Sequence, residues 1–301
     1  MASPKPSVSP TLRTGILGGS GLYHVQDLDE IKWQRLHSLF GKPSDQGLFG
    51  KFQGHSVVFL PRHGRGHKLP PSQVNYRANV EGLKRAGCLD VLSISAVGSL
   101  RENLPPGTFV IVDQFIDRTF AREKSFFGPG LVAHVSMANP VCSRLGNHLE
   151  AALRKLEIPY VRGGVYLCME GPQFSAQAES RLYRSWGCDV IGMTNMPEAK
   201  LAREAELCYA PLAMVTDFDC WHPDHDYVSV EQIVKTLHDN AEKAKRLVCE
   251  VVPRIAEDPT GPECPCRKAL EHAIITPPQA RDSKMVRKLQ AVAGRVLKRK
   301  I

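Results

Sequence analysis

Thr14-Gly-Ile-Leu-Gly-Gly-Ser-Gly-Leu22 is a short apolar strand that runs directly into a turn made almost entirely of glycine. Such a turn lets backbone N–H groups approach an anion, which is how many α/β proteins begin a ligand site. Further short β-branched runs follow at Ser56–Pro61, Asp90–Val97, Phe109–Ile116, Tyr160–Met169, Asp189–Met193 and Tyr209–Thr216, and these read as buried strands. Helical patterns alternate with them. Asn75–Ala86 ends at Gly87, Cys142–Leu156 carries Leu145, Leu149, Ala152, Leu153 and Leu156 on one face, and Ser175–Trp186 starts on a serine cap and ends at Gly187. Pro197 opens a helix at its first turn, and a long helix begins at Ser229, with Ile233, Leu237, Ala241, Ala244 and Val248 at helical intervals. Strands alternating with helices predict an α/β fold, one domain with a central mixed β-sheet flanked by helices.

Composition excludes several classes. With 301 residues, 43% apolar and 23% charged, the chain is neither disordered nor fibrous. Its net charge of +8 suggests an anionic macromolecule as partner until it is located. From Cys264 to Ile301 there are ten Lys or Arg against Glu271 and Asp282, so residues 1–263 hold 29 charges of each sign. The excess belongs to the tail, which lacks any aromatic residue for stacking on bases. A nucleic-acid or anionic-partner binding role through that tail is therefore the weaker reading. Residues 1–12 are Pro/Ser-rich with no apolar core, and no run approaches the roughly 18 apolar residues of a membrane span. No membrane partner is expected. Nine cysteines, mostly single and inside apolar segments, fit reduced, buried thiols in a cytoplasmic location.

Five segments carry candidate chemistry. Gly18-Gly-Ser-Gly21 has the material of a phosphate cradle but is not a P-loop, and His24 occupies the place of the third glycine in a dinucleotide fingerprint. Pro61-Arg-His-Gly-Arg-Gly-His67 follows a strand, so Arg62 and His63 emerge at a carboxyl edge, suited to an oxyanion. His63 and His67 have no carboxylate nearby to complete a metal set. Ser93-Ile-Ser-Ala-Val-Gly-Ser-Leu100 ends in the small residues needed where backbone meets a ligand. Met169-Glu-Gly-Pro-Gln-Phe-Ser175 leaves a strand for a helix, and Thr216-Asp-Phe-Asp-Cys-Trp221 puts two carboxylates at a strand's end. A tight turn, a basic loop, a helix cap and a salt bridge are the bland readings of the same residues.

Taken in order, GILGGSGL, PRHGRGH, NYRAN, GSLRE, DQFIDRT, EGPQFS, MTNMPEAKLARE and TDFDCW followed by VSVEQIVKTL resemble the methylthioadenosine phosphorylases of the purine nucleoside phosphorylase superfamily, over about residues 13–255. The resemblance implies the nucleoside phosphorylase fold for residues 13–258, after a flexible segment 1–12 and before a linker and basic amphipathic helix at 259–301. It implies phosphorolysis of 5′-methylthioadenosine to adenine and 5-methylthioribose 1-phosphate, in methionine and purine salvage, by a pentosyltransferase. Inorganic phosphate is then a co-substrate, with no cofactor and no metal.

Matched residue by residue, the resemblance places phosphate on Ser20, Arg62, His63, Ser95, Ala96 and Thr194, with serine at 20 and 95 where the family often has threonine. It places the base near Phe174 and Ser175, with Asp217 and Asp219 as catalytic residues reading the N6/N7 edge. Met193 lies under the ribose, Val230, Ile233 and Val234 meet the 5′-methylthio group, and His134 comes from a neighbouring subunit of a homotrimer, with a hexamer as the other possibility. Asp-Phe-Asp favours a 6-aminopurine; a 6-oxopurine or methylthioinosine phosphorylase is the alternative. Gly192 and Asn195 depart from the pattern beside the sugar, as does Gln173 at the rim. The pair Cys264-Pro-Cys266 admits a local disulfide or, with partners from elsewhere such as His272, a closed zinc site; reduced thiols are expected.

Overall fold

The computed structural model describes residues 13–19, 28–222, 230–258 and 260–297, with the side chains of 230–235 outside that description. Eleven strands form one mixed sheet: β1 (Arg13–Gly18), β2 (Asp29–Gln34), β3 (Gly47–Phe52), β4 (His55–Pro61), β5 (Cys88–Ser99), β6 (Phe109–Ile111), β7 (Gln114–Asp117), β8 (Tyr160–Arg162), β9 (Val165–Cys168), β10 (Val190–Gly192) and β11 (Cys208–Asp217). The helices are α1 (Tyr76–Arg85), α2 (Ser143–Lys155), α3 (Gln177–Ser185), α4 (Asn195–Glu204), α5 (Val230–Ala256), α6 (Ser283–Lys288) and α7 (Gln290–Leu297).

The twelve-residue β5 organises the sheet. Along one edge it pairs parallel with β11, from Asp90↔Cys208 to Gly98↔Asp217. The other edge is shared: β1 takes the start, with Ile16 opposite Leu92, and β10 takes the end, antiparallel, with Ile191 opposite Gly98. Between the end of β1 and the start of β10, residues 94–97 have no strand on that edge. The sheet forks there, into β1-β4-β3-β2 on one arm and β10-β9-β7 on the other. Ligands in α/β sheets sit at such divergences, where strand ends leave a crevice.

Alternation along the strands builds two cores. Leu17, Val58, Leu60 and Val91 pack on one face with Val80 and Leu83 of α1 and Leu201 of α4. Ile16, Val57, Phe59 and Leu92 pack on the other with Leu145 and Leu149 of α2 and Leu247, Val248 and Val251 of α5. Every one of these side chains is essentially out of water, and each contributes roughly 1.5–3 kcal/mol by burial.

Several sequence expectations change. The runs at 109–116 and 160–169 are each two strands; Gly163 and Gly164, at φ 84° and 148°, break the second with a turn that L side chains resist. β2 and β3 carry no strong pattern, since β2 is an edge strand with an almost wholly exposed face. The third helix starts at Gln177, with Glu179 accepting from the Ala176 N–H at 2.7 Å, so Ser175 is not its cap. The stretch after Asp258 is not a free linker: it folds into two 3-10 turns, Gly261–Glu263 and Pro265–Lys268, with Cys264 and Cys266 buried. The basic helix is two helices broken at Leu289, and Leu289, Val292 and Ala293 are buried against the body. Two of the tail's cations are ion-paired: Arg295 of α7 with Glu206 and Glu271, and Arg267 of the second 3-10 turn with Asp90. No helix among the described residues is long and apolar enough to cross a membrane.

Candidate active site

The fork in the sheet opens onto a cavity of about 230 Å³, lined by Arg62, His63, Ser95, Ala96, Phe174, Ser175, Met193, Thr194, Asp217 and Asp219. Ten of the residues expected at the site thus meet in one space, drawn from the ends of β4, β5, β10 and β11 and the loop after β9. Gly19 lines it, and Ser20 lies just outside the described residues. Val230, Ile233 and Val234 fall on α5 with undescribed side chains; Leu237, one turn beyond Ile233 on the same helical face, reaches the cavity. His134 does not line this cavity. It is exposed, on a segment bridged to the tail through its N–H to the Ala273 carbonyl at 2.8 Å.

One end of the cavity is held by a buried polar network. Arg62 is 1% exposed and donates Nε to Glu198 Oε2 at 2.9 Å, Nη2 to Ser93 Oγ at 2.7 Å, and Nη1 to the Ile94 carbonyl at 3.2 Å, on the strandless stretch of β5. Burial opposes the Arg62 charge, but Glu198 more than offsets it and the pKa is raised, so the guanidinium is permanently cationic. Among the described residues one Nη1 N–H has no protein acceptor, and it is available to an anion. Glu198, from the MPEAK segment, is a residue that reading the motifs alone misses. It also accepts from Tyr209 Oη at 2.8 Å, and Asn195 Nδ2 donates to Ser93 Oγ and Tyr209 Oη at 3.0 and 2.7 Å. Asn195 is therefore part of the scaffold under Arg62 and Ser95 rather than a contact to the sugar; Ser95 Oγ donates to its Oδ1 at 3.1 Å.

His63 donates Nδ1–H to the Leu69 carbonyl at 2.8 Å and stacks on His67. Burial, with the Arg62 charge beside it, lowers its pKa to about 4. The ring is neutral and its Nε2 is an acceptor, suited to the hydroxyl of hydrogen phosphate. Thr194 Oγ1 is buried beside the Tyr166 hydroxyl and adds a hydroxyl at the same end.

The other end holds the carboxyl pair. Asp217 accepts from Thr216 Oγ1 at 2.7 Å and from the Asp219 N–H at 2.8 Å. Asp219 has φ 52°, which turns its side chain back beside Asp217, and its carboxyl is buried near the Ser175 and Ser180 hydroxyls. Burial raises both pKa values, and the Asp217 charge adds to the rise at Asp219, which reaches about 6. Gly98 makes the close approach possible: a Cβ there would lie 3.0 Å from Asp217 Oδ1 and 3.3 Å from Asp219 Cβ.

Gly192 has an equally local cause. A Cβ at 192 would collide with the hydroxyl of Tyr166, which is buried and fills the place of a side chain. Glu170 of EGPQFS works behind the cavity, not in it: with its carboxylate it accepts from Phe120 and Ala121 N–H and from Arg122 Nε, and Arg122 in turn donates to the Met193 and Met196 carbonyls. These bonds hold the Met193–Thr194 turn.

Anion donors at one end of a crevice and proton-holding carboxyls at the other, on a forked α/β sheet, define a pentosyl-transferring enzyme. The family model described as the phosphorylase superfamily matches residues 13–253, and the chain belongs to that superfamily and, within it, to the S-methyl-5'-thioadenosine phosphorylases. A relative of that name from Rhodospirillum rubrum is 62% identical over 94% of this chain and 96% of its own length, and one from Bradyrhizobium diazoefficiens is 57% identical over 94% and 98%. The crystal structure of a methylthioadenosine phosphorylase from an antarctic soil metagenomic library superposes with a TM-score of 0.89 at 44% identity, covering 94% of this chain and 99% of that one. A variant of the adenosine/methylthioadenosine phosphorylase from Schistosoma mansoni, in complex with methylthioadenosine, gives 0.81 at 37% identity over 86% and 96%.

Proposed function

We propose that this enzyme cleaves 5′-methylthioadenosine with inorganic phosphate, giving adenine and 5-methylthioribose 1-phosphate for purine and methionine salvage. The observation that carries the reading is the opposition of the two cavity ends. Arg62, His63, Ser95, the Ala96 backbone, Thr194 and Ser20 hold the phosphate and turn one oxygen toward C1′. As the C1′–N9 bond breaks, its electron pair moves into the purine, and a proton passes from the Asp217/Asp219 pair to N7. One carboxyl of the pair donates while the ionised one accepts from the 6-amino group. Phe174 and Ser175 border the base, Met193 the ribose, and Leu237 with Val230, Ile233 and Val234 the 5′ group, where the lack of polar partners favours a thioether over a hydroxyl.

No metal or organic cofactor enters these steps. The enzyme is cytoplasmic in this reading, and works as a homotrimer in which the exposed His134, beside exposed Val132 and Ile275, reaches a neighbouring subunit's 5′ pocket. The test is adenine release from methylthioadenosine with and without phosphate, with 5-methylthioribose 1-phosphate followed by phosphorus NMR. Release that does not need phosphate overturns the reaction, and a sedimentation mass of one chain overturns the shared site.

A further inference from the structure

Away from the cavity, four cysteines converge from three distant parts of the chain. Cys142 precedes the first residue of α2, Cys208 opens β11, and Cys264 and Cys266 flank Pro265 in the tail. All four are buried, and their Sγ atoms lie within 4.8 Å of one another, with Cys142 and Cys264 at 3.6 Å. Four sulfurs bound to one ion at about 2.3 Å in a tetrahedron stand about 3.8 Å apart, whereas a disulfide needs about 2.05 Å. The spacing is that of a shared ion.

The surroundings point the same way. Arg144 and Arg267 both bear on Asp90, yet the Nε of each is buried with no partner. A buried donor without an acceptor is destabilising, and a neutral thiol is too weak an acceptor to remove that cost. A thiolate does so. Arg144, ion-paired with Asp90, is two positions along from Cys142. Cys142 also lies at the N-terminus of a thirteen-residue helix, where thiolates are favoured. The Cys142 N–H donates to the Tyr209 carbonyl at 2.8 Å, fixing it beside Cys208 before the tail arrives.

We infer that Cys142, Cys208, Cys264 and Cys266 form a closed tetrahedral site for one Zn²⁺ that fastens the tail to the body of the enzyme. Four sulfur ligands select a soft divalent ion, and full burial leaves no open position, so the site is structural. Binding expels the remaining thiol protons to solvent, and Arg144 and Arg267, both ion-paired with Asp90, are cations close in the chain to Cys142 and Cys266. His272, the ligand that sequence spacing offers, is exposed and outside the quartet. The tail held this way packs, through Ala273 and Ile275, on the segment carrying His134, so the ion also supports the residue assigned above to the neighbouring site. That last link rests on the proposed trimer; the metal site does not.

The test is metal analysis of the full-length enzyme after exhaustive dialysis, together with its intact mass under non-reducing, denaturing conditions. The expected result is one zinc per chain, a mass with no hydrogens lost, and a melting temperature lowered by roughly 5–10 °C when a chelator removes the ion. Zinc is lost in Cys264→Ser/Cys266→Ser and kept in Cys249→Ser. If the double variant fails to fold, release of zinc from the wild type by a thiol-reactive mercurial reads the same ligands. A metal-free enzyme that takes up no added zinc overturns the inference, whether its mass is lower by two or four hydrogens, meaning disulfides, or shows four free thiols.

Discussion

Arg62 and Asp219 are both ionisable side chains in the wall of one cavity, and the fold treats them oppositely. Arg62 is surrounded: Glu198, Ser93, Ile94 and Leu17 accept from it, and these partners are themselves bonded to Tyr209 and Asn195. Asp219 has no opposite charge against it: among the described residues its neighbours are the Ser175 and Ser180 hydroxyls, the Cys220 N–H and a second carboxyl, and burial dominates. A satisfied network fixes a charge in place, while burial without a counter-charge raises a carboxyl pKa toward neutrality. The anion end is built to hold still and the base end to hold a proton.

The sharpest way to break this contrast is Glu198→Ala. It leaves Arg62 buried without a counter-charge, and the expected loss is about 3–5 kcal/mol of stability, read by denaturant unfolding, with a steep rise in the KM for phosphate. A stability change within about 1 kcal/mol would mean that Arg62 is not dependent on Glu198. Asp219→Asn should instead lower kcat/KM for methylthioadenosine by roughly 10²–10⁴-fold and leave the protein at least as stable above pH 6, because it removes a buried carboxylate that stands beside Asp217.

The two ends also respond to pH with opposite signs. Asp219 rises from 3.8 unfolded to about 6 folded, so the folded state holds the proton more tightly; its contribution is fully present below pH 4 and is lost as pH rises through 6. His63 falls from 6.5 to about 4, so its neutral form is favoured by folding and stability drops as pH falls through that window. Each shift amounts to roughly 2–3 kcal/mol. Relative to wild type between pH 4 and 6, Asp219→Asn should steepen the loss of stability on acidification and His63→Asn should reduce it. Identical pH profiles for all three proteins would contradict the assignment.

A smaller effect is expected between the two ends. Gly192→Ala should cost about 1–3 kcal/mol by overpacking against Tyr166, and Tyr166→Phe in the same chain should restore part of it in thermal melts.

Arg62, His63, Ser95, Phe174 and the Asp217/Asp219 pair were legible as chemistry at strand ends, where glycine, proline and small residues are easy to see, while Met193, Thr194 and the role of each residue came only with the family resemblance. What the sequence concealed is what lies one layer behind. Glu198 looks like any first-turn helix acid until the fold brings it under Arg62, and Asn195 looks like a pocket residue until its backbone turns it toward Ser93. Gly192 reads as a missing polar group, whereas Tyr166, 26 positions earlier, supplies the hydroxyl that requires it. The tail concealed most: a proline-rich stretch reads as a linker, and nothing local shows that Cys264 and Cys266 meet Cys142 and Cys208. The two outer strands carried no alternation because one of them has almost no buried face.

The central claim is that the carboxyl pair selects a 6-aminopurine nucleoside with an apolar 5′ group for attack by phosphate. It is tested most directly by kcat/KM for methylthioadenosine, methylthioinosine, adenosine and inosine with saturating phosphate. The account predicts methylthioadenosine first, adenosine behind it, and the two 6-oxopurines far below; a preference for methylthioinosine or inosine would contradict it.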